Sequence, residues 1–361
     1  MRGLSLFIPI LILCFGLQAQ NKFSDNLSLE GNYGIGYIMP EYQFINYVVE
    51  DYARNIELLL VKQTTGKTDW EQAYNYPKYG LRFYYADLGS PSTLGYAAGL
   101  YPYYNINLAE FNRFKVFHEA GLGVNYVSKK FDLNENFLNV AVGSNWNFHL
   151  NIRFGLNYEV NPKLSFNSAI SLDHFSNANT QEPNLGINYL LWTNGFSYKL
   201  GTSSDRQVRE LTPLNKIIEK ELAINIGGKH TRELSSQYYL TNSLSYEIRK
   251  QYSRAFKLGV GADFFFDSSV KDQLEDEETS FKNSNYLQTG IHIAKSLVYS
   301  RLSFTLQTGI YLGFTEKVKN NTIYNRGIIK YQVSDLIAAR LSMKSHLHIL
   351  DYPELGISFK L

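Results

Sequence analysis

The chain has one cysteine and nine prolines in 361 residues. Beyond its N-terminus it offers no apolar run of the roughly 18 residues that a membrane-crossing helix needs. A single cysteine, Cys14, excludes a disulfide framework. The missing long hydrophobic runs exclude a helical membrane protein. Charge of one sign is also missing: 35 Lys and Arg stand against 33 Asp and Glu, a net +2. That balance lacks the basic excess of a nucleic-acid-binding surface, so no nucleic-acid partner is expected. No internal repeat or low-complexity stretch appears.

The N-terminus has the pattern of an export signal. Met1-Arg2 supplies a positive charge, Leu4 to Leu17 is almost wholly apolar, and Ala19 is the small residue that cleavage requires. Residues 1–19 are therefore expected to be a signal peptide cleaved near Ala19, leaving 20–361 as the exported domain. Ile12-Leu13 before Cys14 are not the small residues of a lipoprotein box, so the mature chain carries no cysteine. An exported chain of this length without disulfides must be stabilised by core burial or by a membrane.

Tyrosine (28) and phenylalanine (23) are abundant, and they recur at every second position. From Trp146 through Phe148, Leu150, Ile152, Phe154, Leu156, Tyr158 and Val160 each second residue is apolar. The intervening Asn147, His149, Asn151, Arg153, Gly155, Asn157 and Glu159 suit a wet interior. The same period runs through Phe256 to Phe266 and through Leu302 to Phe314. Strands this long, apolar on one face, imply an all-β, antiparallel up-and-down transmembrane β-barrel in an outer membrane. Candidate strands lie near 27–38, 53–65, 79–88, 94–107, 113–127, 145–160, 164–176, 186–200, 220–230, 236–249, 254–267, 285–298, 300–314, 325–333, 336–349 and 354–361. Merging within the C-terminal group brings the expectation to roughly 14 strands, within about 12 to 16, in one barrel domain spanning 20–361. Counting from Leu27, the Asn177–Ile187 hairpin and the acidic run Lys271 to Glu278 fall on the outer surface. That acidic run reads as a solvated loop, with divalent-ion or headgroup binding as the alternative. The stretch Ser203 to Glu219 has a faint helical look and is long for an inner turn.

One place carries chemistry. Leu164, Phe166, Ile170 and Leu172 mark an apolar face, and the same parity continues to His174 and Ser176. Two residues apart on a strand, their Cα atoms are roughly 6.6 Å apart, which is a nucleophile and base arrangement. Across the hairpin, Leu190, Trp192, Phe196, Tyr198 and Leu200 mark the lipid face of the next strand, and Asn188 shares their parity. Three polar residues able to form a relay thus lie on one outward face at one end of two adjacent strands. Polar groups are costly in hydrocarbon, so the group belongs at the headgroup level, where an ester linkage would lie.

The run His174-Phe175-Ser176-Asn177-Ala178, followed by Pro183-Asn184-Leu185-Gly186-Ile187, resembles the signature of the outer-membrane lipid A 3-O-deacylases, also known as acyloxyacyl hydrolases. The resemblance is specific over 174–188 and looser from about His118 to Leu200, with the deacylase-like hairpin at 164–200. It implies Ser176 as nucleophile, His174 as general base, and lipid A or lipopolysaccharide of the outer leaflet as substrate. The family's characterised fold is a smaller, eight-stranded barrel. This sequence departs at position 188, where the family has glutamate and Asn188 stands instead. An asparagine carbonyl can accept the His174 Nδ1–H and fix the tautomer, but it cannot stabilise an imidazolium by charge. Glu182 in the same hairpin is an alternative partner. Asn177, Asn184, Gly186 or backbone N–H groups of the hairpin are candidates to support the oxyanion. No cofactor or metal is implied. His149, His292, His346 and His348 fall on polar parity and are expected in the interior; a metal held by the His346 and His348 pair has no third ligand in view. His118 and His230 lie on apolar parity without a serine two residues on. The competing expectation is a barrel without catalysis, a solute pore or structural protein that keeps a degenerate hairpin.

Overall fold

The computed structural model describes residues 24–40, 43–208, 210–211, 213–214, 216–231, 237–316, 318–346 and 349–361; the expected signal peptide and His348 lie outside them. The first eight strands are β1 (Leu27–Ile38), β2 (Ala53–Gln63), β3 (Lys78–Asp87), β4 (Tyr96–Phe111), β5 (Phe114–Val127), β6 (Trp146–Glu159), β7 (Leu164–Ser176) and β8 (Ile187–Lys199). The second eight are β9 (Ile218–Lys229), β10 (Tyr239–Ser253), β11 (Phe256–Asp267), β12 (Leu287–Tyr299), β13 (Leu302–Tyr311), β14 (Ile323–Gln332), β15 (Ile337–His346) and β16 (Ile349–Lys360). Two short helices, α1 (Asp69–Ala73) and α2 (Val270–Asp276), sit in connections.

Sixteen strands form, but they do not make one barrel of about fourteen. β1 pairs antiparallel with both β2 and β8, closing one eight-stranded barrel, and β9 pairs with both β10 and β16, closing a second. The expected merger within the C-terminal group does not occur. Closure leaves no sheet edge, which is what a strand-built membrane span requires of its backbone. No described helix is long and apolar enough to cross a membrane.

The alternation determines which face goes where. Along β6, Asn147, His149, Asn151 and Arg153 are buried in the lumen, while Trp146, Leu150, Phe154 and Leu156 are exposed. Ile56, Leu58 and Leu60 on β2 and Ile291, Ile293 and Leu297 on β12 are likewise exposed. So extensive an apolar band would aggregate in water and is matched to lipid. Exposed aromatic residues stand near both ends of the first barrel, Tyr37, Tyr85, Tyr96 and Trp146 at one and Tyr79, Phe111, Phe114 and Tyr198 at the other, the placement of interfacial belts.

An eight-stranded barrel is narrow enough for side chains to fill it. In the first, Arg153 Nη1 lies 3.1 Å from Glu57 Oε2 and 3.4 Å from Glu119 Oε1, and Arg82 pairs with Glu119 and donates to Asn151 Oδ1. In the second, Arg326 bridges Asp263 (3.1 Å) and Glu354 (2.7 Å), and His292 Nδ1 sits 2.6 Å from Asp263 Oδ2. Arg82, Arg153 and Arg326 are fully buried. These ion-pair lattices cross both lumens.

The barrels stand side by side. At the end where the chain passes from β8 to β9, Tyr74 stacks on Tyr299 with centroids 4.4 Å apart, and Arg254 donates to Asp69 at 3.0 Å. The connecting segment there is not helical where it is described. It packs beneath the first barrel instead, with Gln207 N donating to Thr65 O and Arg206 paired with Glu110. At the other end lie the β7–β8 hairpin and α2, which holds most of the acidic run. These are called the linker end and the hairpin end below.

Candidate active site

The register of β7 against β8 sets His174 directly opposite Asn188, and that of β6 against β7 sets Phe148 opposite Ser176. His174 and Asn188 are half-buried on the outward face, next to the lipid-facing Leu150, Leu172 and Leu190 of the three strands. His174 Nδ1 lies 2.7 Å from Asn188 Oδ1. With Nδ1–H donating to that carbonyl, Nε2 is left as the basic nitrogen. Gly186 explains how the ring is accommodated. Its φ is +77°, and a Cβ there would stand 2.9 Å from His174 Cε1, so both the backbone and the space call for glycine.

Ser176 closes β7 beneath the hairpin and is only 7% exposed. Among the described residues no hydrogen bond joins it to His174. It is held by Asn184, whose Nδ2 lies 3.1 Å from Ser176 Oγ, and by the Ala178 N–H at 3.1 Å. Asn184 organises the turn: its Oδ1 accepts from Asn177 N at 2.8 Å, and its Nδ2 also donates to Asn179 Oδ1 at 2.9 Å. Ala178 and Asn179 both take φ of +57°, a left-handed pair at whose start the Ala178 N–H faces Ser176 Oγ.

Asn177, Asn184 and Gly186 thus differ in what they can offer the serine. Asn184 reaches the serine. The Asn177 side chain is committed to Gln181 O at 2.7 Å, and the Gly186 N–H to Ala141 O at 2.9 Å. The donors that reach Ser176 Oγ are Ala178 N–H and Asn184 Nδ2; the first is one of the hairpin N–H groups that the sequence offers only collectively. Leu185 and Gly186 lean on Val140 and Ala141 of the β5–β6 loop, beside an apolar cap of Val142, Phe175 and Ile187. Asn179 was missed. It donates to the carbonyls of Leu350 (2.8 Å) and Asp351 (3.2 Å) of the second barrel, so a side chain two barrels share supports the Asn184 that touches Ser176. No periodic signal marks such a residue; only the pairing of distant strands brings Leu350 to it.

The remaining histidines are placed as follows. His149 lies in the first lumen against Asp173 (2.6 Å), His292 in the second lumen, and His346 at the hairpin end of β15, hydrogen-bonded to Tyr311 OH at 3.0 Å. Ser171, Asp173 and His149 resemble a catalytic relay in composition, yet all three are 0% exposed beneath the apolar cap, where no ester can reach. His118 stacks on Phe154 at the lipid face. Among the described residues no cluster could hold a metal ion.

A closed, lipid-belted barrel with a polar group at the end of two outward-facing strands defines an integral β-barrel protein of the outer membrane. The comparisons then specify it: residues 57–197 match the lipid A 3-O-deacylase (PagL) family and residues 218–361 match the acyloxyacyl hydrolase C-terminal domain. The chain belongs to the lipid A 3-O-deacylase family. The first match falls on the first barrel and the second on the second barrel. No curated protein matches the chain. Among solved structures, Neisserial surface protein A aligns at 9% identity and a TM-score of 0.34, over 48% of this chain and 97% of its own. The Acinetobacter baumannii outer membrane protein Omp33 aligns at 8% identity and a TM-score of 0.19, over 93% and 98%. A mutant of the Rh. blastica porin aligns at 9% and 0.17, over 93% and 99%. Likeness at these scores carries no functional weight.

Proposed function

We propose that this protein is a serine esterase that removes an acyl chain from lipid A in the outer leaflet, using Ser176, His174 and Asn188. The observation that carries the reading is the 2.7 Å contact between His174 Nδ1 and Asn188 Oδ1 on the lipid-facing side of β7 and β8, two residues before a serine. It stands in the barrel that matches the deacylase family. Family membership supports lipid A as the substrate class, and a position at a strand end suits the depth of its ester linkages.

The reaction follows from the groups present. Ser176 Oγ attacks the ester carbonyl while its proton passes to His174 Nε2. Ala178 N–H and Asn184 Nδ2 donate to the oxyanion that forms on the former carbonyl oxygen. Collapse breaks the ester C–O bond, and His174 returns the proton to the departing sugar hydroxyl. Water, deprotonated by His174, then hydrolyses the acyl-serine, releasing the fatty acid and restoring Ser176. His174 must rotate toward Ser176 on substrate binding, and catalytic hydrogen bonds often tighten only in that complex. Asn188 orients the ring without a compensating charge, so the imidazolium is less stabilised than with a carboxylate.

The competing reading, a barrel without catalysis, draws on the absent His174–Ser176 hydrogen bond and the neutral Asn188. Mass spectrometry of lipid A from cells expressing the protein separates the two. Wild type should shorten the acyl complement and Ser176→Ala should leave it intact. Equal deacylation by both would remove Ser176 from the mechanism, and none by wild type would favour the non-catalytic barrel.

A further inference from the structure

At the linker end the second barrel opens into a cavity of about 300 Å³ inside the strands. Six cations, Lys257, Lys330, Lys360 and Arg249 among them, line it with three carboxylates, Glu219, Glu221 and Asp335. Glu219 takes Lys257 at 2.6 Å and Lys360 at 3.3 Å. Glu221 is shared by three cations: Arg249 at 2.5 Å, Lys330 at 2.6 Å and Arg340 at 3.6 Å. Five cations thus converge on two carboxylates. The next acid inward, Glu247, reaches Arg249 but is also engaged by His292 and Gln307.

The excess has a visible consequence. Arg340 is 5% exposed, and neither its Nε nor its Nη2 has a hydrogen-bond partner among the described residues. Buried guanidinium donors are normally satisfied; Arg340 stands across the strand pair from Lys330, which lines the cavity, although Arg340 itself does not. Guanidinium forks and ammonium groups together are the donor set that recognises tetrahedral oxyanions. The dianionic charge of phosphate would offset most of the surplus.

We propose that the linker-end cavity of the second barrel is a phosphate-binding site, held by Arg249 and Lys330 with Lys257 and Lys360 nearer its mouth. It lies at the opposite end of the molecule from Ser176 and does not rest on the esterase reading. A phosphate group entering from the linker-end mouth reaches Lys257 and Lys360 first and then the Glu221 cluster. Glu221 is its internal competitor for Arg249 and Lys330.

The test uses the full chain purified in a phosphate-free zwitterionic detergent, with binding of inorganic phosphate measured by titration calorimetry against chloride at matched ionic strength. Saturable binding is expected with a dissociation constant below about 1 mM. Arg249→Gln and Lys330→Gln should each weaken it about tenfold or more. Glu221→Gln should tighten it, a direction that simple structural damage would not produce. Lys271→Gln, exposed in α2, should leave it unchanged. Retained heat-modifiable gel mobility identifies variants that are still folded. Glycerol 3-phosphate is titrated in parallel: tighter binding than inorganic phosphate assigns a phosphate monoester, weaker binding the free ion, and either supports the site. Phosphate binding no stronger than chloride, or unchanged in folded Arg249→Gln and Lys330→Gln, overturns it.

Discussion

Asn179 of the first barrel donates through Nδ2 to the main-chain carbonyl of Leu350 in the second, at 2.8 Å, and its Oδ1 accepts from Asn184 at 2.9 Å. Asn184 in turn contacts Ser176 Oγ. The second barrel is thereby coupled to the proposed nucleophile through two asparagines. Asp351, whose carbonyl Asn179 also meets, is fixed by Lys229 at 2.6 Å and Lys344 at 2.7 Å. Asn179→Ala should therefore loosen the turn without unfolding either barrel. Losing one such hydrogen bond, roughly 1 kcal/mol, predicts a fall in deacylation of about fivefold. Lipid A mass spectrometry over a time course reads it, and an unchanged rate would uncouple the second barrel from the site.

Asn188 invites the opposite experiment. Its carbonyl orients His174 but carries no charge, so Asn188→Glu should raise deacylation and Asn188→Ala should lower it. The loss of a triad carboxylate in serine proteases costs on the order of 10⁴ in turnover, which bounds the gain from above. Because the 2.7 Å contact already holds the ring, the gain should fall well short of that bound. A decrease in Asn188→Glu would show that the site beside Leu172 and Leu190 excludes a carboxylate, and the relay assignment would then need replacing.

Topology has its own check. The hairpin and α2 lie at the same end, joined through Asn179 and β16, and Thr180 and Asp276 are both exposed there. Cys14 is the chain's one cysteine and lies in the expected signal peptide. Single cysteines at positions 180 and 276 should thus be labelled on intact cells by a membrane-impermeant maleimide. A cysteine at Ser334, in the β14–β15 turn at the linker end, should be protected until lysis. Labelling of position 334 but not of 180 would invert the orientation.

The strands were legible in the sequence because burial on one face imposes a period of two, and β1 and β7 fall where Leu27–Ile38 and Leu164–Ser176 alternate. How many barrels they make was not. Alternation is identical whether a strand joins a sheet of eight or sixteen, and closure depends on non-local pairs such as Gly31 with Phe196 and Ile224 with Ile357. Two clues were present. Residues 203–217 break the alternation between two sets of eight segments, and bulky Arg82, Tyr84, Tyr101 and Arg153 on lumen parity suit an interior that side chains fill. At the candidate site, His174 and Asn188 were placed by parity alone, whereas Ala178 and Asn179 depend on a left-handed turn that no period encodes.

The lumen of the first barrel supplies the last prediction. Arg82 and Arg153 share Glu57 and Glu119, and all four side chains are withdrawn from solvent. Each cation is held between two carboxylates, so removing one leaves two buried anions facing a single arginine. Breaking such a buried group costs about 3–5 kcal/mol, whereas replacing it whole by well-packed apolar residues is often neutral. Arg82→Ala should therefore lower the temperature at which the folded band converts to the unfolded one on gels. A fourfold replacement, Glu57→Leu, Arg82→Met, Glu119→Leu and Arg153→Met, should recover much of the loss. If Arg82→Ala unfolds at the wild-type temperature, water enters the lumen freely enough to solvate the stranded carboxylates, and the barrel is wetter inside than its buried ion pairs imply.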